Sequence, residues 1–205
     1  CAKYLKDRYG GTITKTSSKS LTMATFSQSS LDNGSNCSLA AITRVLYYYN
    51  KNGYTKISND YKTIYSKVKK IAKKYGYTSR DGISATKINN VVNDVLKDYG
   101  YSKSNCKGIY VWNFKNQVKK EIDNNRPVIM NIARGYYGNH TVTVCGYAIY
   151  KRSSKKSKIS SNKTYNMIQV YDGWTTYKRF IDYSAFAYDL VTSGFGSFNT
   201  VTMKK

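Results

Sequence analysis

The chain has 205 residues, enough for one domain with a real core, and 40% of them are hydrophobic, which excludes wholesale disorder. Its charge is lopsided: 34 basic residues, 27 of them lysine, against 11 acidic ones give a net charge of +23. So little arginine argues against a specific nucleic-acid reader, because the guanidinium supplies the bidentate fork for phosphate and guanine.

The cationic surface is expected to attract polyanions, such as anionic cell-wall polymers. The plainer reading is a codon effect, since lysine, asparagine and the 22 tyrosines all have AT-rich codons, as in a low-GC bacterial genome. No apolar run approaches a membrane span, no signal peptide is visible, and the start at Cys1 is expected to be a processed or trimmed end. The four cysteines fit no zinc spacing, and one histidine cannot complete a histidine-rich metal site, so no metal or cofactor is expected.

Residues 1–36 are rich in Ser, Thr and Gly and are expected to form an extended arm with one short strand, Thr12 to Thr16, leading into the loop Leu31–Asn36. Residues 37–50 read as a helix with Leu39, Ile42, Val45 and Leu46 on one stripe. A second helix is expected over about 58–75 and a third over about 84–98, capped by Ser84, and both end in basic residues followed by Gly76 and Gly100. A fourth, about 113–124, carries Phe114, Val118 and Ile122 and stops before Pro127.

After Pro127 the apolar period becomes strand-like. Strands are expected at Val128–Ile132, His140–Tyr150, Tyr165–Tyr171, 177–181 and Phe198–Met203, with a basic loop at Lys151–Lys158. The fold class is therefore α+β: a single domain over 1–205, with an extended arm over 1–25, a helical lobe over about 26–126 and an antiparallel β lobe over about 127–205.

Three residues stand in an order that suits thiol chemistry. Cys37 opens a helix, where the N-terminal partial charge favours a thiolate and first-turn amides can face an oxyanion. His140, the only histidine, begins a strand, and Asp172 ends one just before Gly173-Trp174. Nucleophile, general acid–base and orienting carboxylate are the roles these types supply. Each has a plainer reading: a buried small hydrophobe for Cys37, a satisfied histidine for His140, an Asp-Gly turn for Asp172. Trp174 reads as a shield over the His140–Asp172 contact or as simple core packing. Gln28, Asn33 and Asn36 are all candidates for the oxyanion-hole side chain, with Gln28 preferred. Cys1 is a rival nucleophile that would use its own α-amine as base.

These residues resemble the papain-like cysteine peptidase superfamily, and within it the bacterial branch similar to bacteriocin-leader-processing peptidases. The matching positions are Gln28, Cys37, Arg126-Pro-Val128, Asn139-His140 with Gly146-Tyr147, and Asp172-Gly-Trp174, across about residues 26–180. The resemblance implies a papain-like two-lobed fold and a peptidase with a Cys37–His140–Asp172 triad. It also implies an oxyanion hole completed by Gln28, an acyl-enzyme intermediate, a polypeptide substrate and no cofactor. Two positions depart from the pattern: Gln28 lies nine residues before Cys37 where about six is usual, and Ser38 stands where many relatives have Gly.

The same scaffold also supports a peptidoglycan amidase, a transpeptidase or an inactive cell-surface binding module. The sequons Asn36-Cys-Ser38 and Asn139-His-Thr141 fall on the proposed site, so a non-glycosylating, bacterial, secreted or cell-surface setting is expected.

Overall fold

The computed structural model describes residues 1–110, 113–153, 163–188 and 195–205. It is an α+β structure with helices packed on one antiparallel sheet, consistent with a papain-like fold. The helices are α1 (Ala2–Tyr9), α2 (Cys37–Lys51), α3 (Tyr61–Lys74), α4 (Ile88–Asp98), α5 (Lys120–Asp123) and α6 (Tyr183–Tyr188). The strands are β1 (Thr12–Ser20), β2 (Asn105–Ile109), β3 (Val128–Ala133), β4 (His140–Ser153), β5 (Lys163–Tyr171), β6 (Arg179–Asp182) and β7 (Phe195–Thr202). Among the described residues, no helix is long and apolar enough to cross a membrane.

The sheet runs β2-β7-β3-β4-β5-β6, with β1 paired to β4 off that path. A strand has only two edges, and β5 occupies one edge of β4. The other is shared: β3 pairs with His140–Val144 and β1 with Gly146–Ser153. Between them β4 carries a bulge that inserts Cys145 opposite β5.

Helix α2 is buried on nearly every side, and its stripe of Leu39, Ile42, Val45 and Leu46 joins β3 and β4 in the main core. Its one buried cation, Arg44, donates to the carbonyls of Ala24 (3.0 Å) and Phe26 (2.5 Å) and lies 4.4 Å over the Phe26 ring. The extended segment that leads to Gln28 is thereby tied to α2. Burial lowers the Arg44 pKa to about 10, still far above neutrality, so the guanidinium stays charged.

Helix ends follow local chemistry. Asp60 accepts from the Lys62 and Thr63 amides, so α3 begins at Tyr61 rather than near residue 58. Ser84 caps a short 3₁₀ turn that feeds α4. Gly76 and Gly100 both adopt positive φ, and the N–H groups of Tyr77 and Tyr101 reach back to the carbonyls of Ala72 and Leu96. Both ends are Schellman closures. The helix expected over 113–124 starts as a π-helical turn, Phe114–Lys119, capped by Asn113, and finishes as α5.

The arm is not extended throughout. Residues 2–9 form α1, which buries Leu5 against Ala148, Tyr150, Tyr165 and Met167, with Tyr9 stacked on Tyr165 at 4.4 Å. Only Leu5 is buried in α1, so no apolar stripe announces the helix. Strand β1 runs four residues past Thr16 because its pairing with β4, not its polar side chains, holds it. Strand β2 comes from the segment assigned to the helical lobe, so the sheet draws on residues before 127. Strand β6 lies two residues later than 177 at its start, β7 ends at Thr202, and residues 154–158 of the basic loop fall outside the described residues.

Candidate active site

The loop before Cys37 is fixed from several directions. The Gln28 carbonyl accepts from the Leu31 and Asp32 amides and from Asn36 Nδ2 (2.9 Å). Asn36 is fully buried, and its Nδ2 also faces the Asp32 carbonyl (3.1 Å) and the Tyr65 hydroxyl (3.3 Å). Asp32 is ion-paired with Lys69 on α3. Gly34 has φ +100° and lies so close to the Ser79 carbonyl that no Cβ fits. The Ser35 amide donates to the same carbonyl at 2.7 Å. The extra residues between Gln28 and Cys37 are therefore folded into a closed loop, which accounts for the nine-residue spacing.

Cys37 is the first residue of α2, and Asn36 does not cap the helix through its side chain. The Ala40 N–H donates to the Asn36 carbonyl at 2.9 Å, so the amides of Cys37 and Ser38 belong to the turn that α-helices leave without internal acceptors.

His140 begins β4 and is buried, with 6% of its surface exposed. Its Nε2 is 2.6 Å from the backbone carbonyl of Asp172. A carbonyl only accepts, so Nε2 carries a proton there and Nδ1 is the nitrogen left for the hydrogen bond to Cys37. The ring stacks on Tyr137 (5.6 Å, 5° between planes) and lies 4.5 Å from Trp174.

The Asp172 side chain does something other than the expected acceptance from His140. Its Oδ1 accepts from the Trp174 and Thr175 amides at 3.0 and 3.2 Å, closing the turn. Its Oδ2 lies 2.8 Å from Arg179 Nε, an ion pair that lacks hydrogen-bond alignment. The atom that meets the imidazole is the main-chain oxygen, and the carboxylate holds the turn that presents it.

Burial alone would push the Cys37 thiol up. The hydrogen bond and charge of His140, the Thr141 amide and the Ser38 hydroxyl outweigh it, and the pKa falls below the ordinary thiol value. Cys106 and Cys145, buried without such partners, are pushed up to about 12. Cys1 packs beside Leu5 in the small cluster at the Tyr150 end of β4, about 30 Å along the strand from His140 at the usual rise per residue.

A cavity of about 720 Å³ opens beside Cys37 and His140. Ile83, Ala85, Ile132 and Ala133 give it apolar walls, while Asn131 and Ser197 add polar groups and Asp81 adds an acid. On the Asp172 side of His140 lies a different surface of aromatic rings: Tyr136 is 78% exposed and Trp174 43%, 6.2 Å apart.

Of the oxyanion candidates, Gln28 lies against Gly173, the residue after Asp172. Its backbone N–H donates to the Gly173 carbonyl at 2.7 Å, its side chain packs on Gly173, and its Oε1 is buried without a partner. The Asn36 amide is committed within the loop, and Asn33 is exposed. Thr141, Asn131, Tyr137 and Arg179 were not singled out by sequence. Only Thr141 had a local signal, its place next to the single histidine.

A family model described as "Peptidase_C39 like family" matches residues 20–189, which takes in all of these groups. No curated protein and no solved structure matches the chain.

Proposed function

Because the chain belongs to the Peptidase_C39 like family, we propose that it is a cysteine peptidase working through Cys37 and His140. The observation that carries this reading is that Cys37 and His140 stand together on the wall of an open cavity, where the imidazole draws the thiol below its ordinary pKa. Papain-like architecture and a polypeptide substrate accompany it.

In the proposed reaction the Cys37 thiol passes its proton to His140 Nδ1, and the thiolate attacks the scissile carbonyl carbon. The developing oxyanion is met by the Cys37 backbone N–H and the Gln28 side-chain amide. Collapse expels the amine, which takes its proton from His140 Nδ1, and leaves a thioester. Nδ1 then accepts a proton from water as the water attacks, and collapse releases the acid and the Cys37 thiolate, to which Nδ1 returns the proton. The Asp172 carbonyl holds the imidazole in one tautomer throughout, and Trp174 and Tyr137 keep water from that contact. One strand of substrate would lie in the cavity and the leaving portion against the aromatic rings.

The second reading is an amidase or transpeptidase of bacterial cell wall, favoured by the net charge of +23, which suits an anionic polymer. A secreted or cell-surface bacterial setting is part of this proposal, supported by the same cationic charge. Digestion of casein and of purified wall by wild type and Cys37→Ala separates the two readings. Cys37-dependent cleavage of casein is expected. Activity on wall alone overturns the peptidase reading, and an unreactive Cys37 with no activity on either leaves a binding module.

A further inference from the structure

Ser38, the residue that departs from the family pattern beside the nucleophile, starts a buried string of side-chain hydrogen bonds. Its hydroxyl is 2.7 Å from that of Thr141, and Thr141 Oγ1 is 3.0 Å from Asn131 Oδ1. Asn131 Nδ2 donates on to Ser197 Oγ (3.1 Å) and Asn199 Oδ1 (2.8 Å). All five side chains are buried. The string joins the residue after Cys37 to the residue after His140 and reaches the cavity wall at Asn131.

The protons of this string can be counted. Each hydroxyl has one to give, and an amide oxygen has none. With Cys37 neutral, both contacts are made in one direction: Ser38 donates to Thr141, and Thr141 donates to Asn131 Oδ1. A thiolate offers Ser38 a second, charged acceptor within its reach. If Ser38 turns to the sulfur, the 2.7 Å contact survives only when Thr141 turns its own proton to Ser38. Asn131 Oδ1 is then left open.

We propose that the Ser38 and Thr141 hydroxyls form a reversible hydrogen-bond relay, pointing toward Asn131 while Cys37 is a thiol or a thioester and toward the sulfur when it is a thiolate. Each hydroxyl rotates about its own C–O bond, and no proton changes owner. The thiolate gains a charge-assisted bond, about twice as strong as a neutral one, for the loss of one neutral bond. Asn131 Oδ1, on the cavity wall, loses its Thr141 donor in the reactive state and is then the better acceptor for a substrate N–H. By reciprocity, a donor bound there favours the thiolate. Ser38 and Thr141 are thus positioning residues, and the inference rests on the Cys37–His140 reading.

Among the described residues, the titratable groups on this cavity are His140 from β4, Asp81 and Tyr110, with Asp172 and Arg179 behind the imidazole. None of them is a member of the string, so variants within it test it alone. The measurement is the pH dependence of iodoacetamide labelling at Cys37, by peptide mass mapping, with thermal melts to establish folding. Ser38→Ala removes the donor, and the midpoint rises, leaving about three- to tenfold less thiolate on the acid side. Thr141→Val retains the backbone N–H but removes the group that competes for the Ser38 proton, and the midpoint falls. Thr141→Ser stays at the wild-type value.

Opposite signs for the first two variants are the signature, because loose packing would move both the same way. Shifts of one sign, or an unmoved Ser38→Ala, overturn the relay. Should Thr141→Val fail to fold, Asn131→Ala carries the same expected fall, since it removes the acceptor that draws the Thr141 proton away. A wild-type Cys37 that titrates as an ordinary thiol and ignores His140→Ala overturns the proposed active site, and the relay with it.

Discussion

Two thiols lie at the first half of strand β4, Cys37 half-buried beside the cavity and Cys145 fully buried, and they differ most in what they touch. Cys145 sits in the bulge of the strand, buried, with its sulfur 3.5 Å from the Gln169 carbonyl. Cys37 faces the first residue of the strand, His140. Burial raises both. At Cys145 the nearby positive charges, Lys178 and Arg44, offset little of it, and the thiol stands at about 12. At Cys37 one imidazole and two further donors reverse the effect. The low dielectric that silences one sulfur strengthens every partner of the other. Reactivity here comes from what the buried thiol touches.

The strongest way to break this contrast is His140→Ala. Hydrolysis is expected to drop by about 10³-fold or more, and Cys37 labelling near neutrality should slow toward that of Cys145. Since the pKa of Cys37 is lowered by its partners, its labelling in wild type should rise at a pH below the ordinary thiol value and lose that advantage in the variant. A variant Cys37 that still labels fast at neutral pH would break the contrast.

Asp172→Asn sharpens the picture. An imidazole oriented by a carboxylate loses about 10⁴ in rate on such a change. Here the main-chain carbonyl holds Nε2, and the asparagine Oδ1 can still take the turn amides. Activity within about tenfold of wild type is expected, the residual loss reflecting the Arg179 pair, which is a third exposed on the arginine side. A loss near 10⁴ would mean that the carboxylate reaches His140 during the reaction.

Cys145→Ala should do least. Full activity is expected, with a melting temperature lower by a few degrees for the small cavity left in the bulge. A large loss of activity would show that this sulfur is coupled to the site.

Much of the site was legible because it needs few residues in a fixed order. A single histidine leaves one general-base candidate, and Cys37 at a helix start and Asp172 at a strand end could be placed by period alone. What sequence cannot give is the atom. Nothing in Asp172-Gly-Trp distinguishes the carbonyl from the carboxylate as the acceptor, because that depends on where the chain turns. The Gln28 spacing looked irregular since the loop is closed by the buried Asn36 amide, a tertiary bond without a local pattern. In the fold, α3 and α4 announced themselves through apolar stripes and glycine stops. Helix α1 did not, with one buried leucine, although Arg8-Tyr-Gly10 resembles in sequence the stops at Gly76 and Gly100. Strand β1 exists because β4 offers it an edge.

That shared edge has a consequence for where the molecule gives way. The His140 half of β4 is locked by β3 and, beyond it, β7, inside the main core. The other half is covered on that edge by a polar strand and a short helix anchored through Leu5, Tyr9 and Ile13. The first twenty residues are therefore expected to open by local unfolding at a free energy below that of the whole domain, read as faster amide hydrogen exchange over β1 than over β3. Such an opening bares the edge of Gly146–Ser153 to a new strand while the thiol and imidazole stay in register.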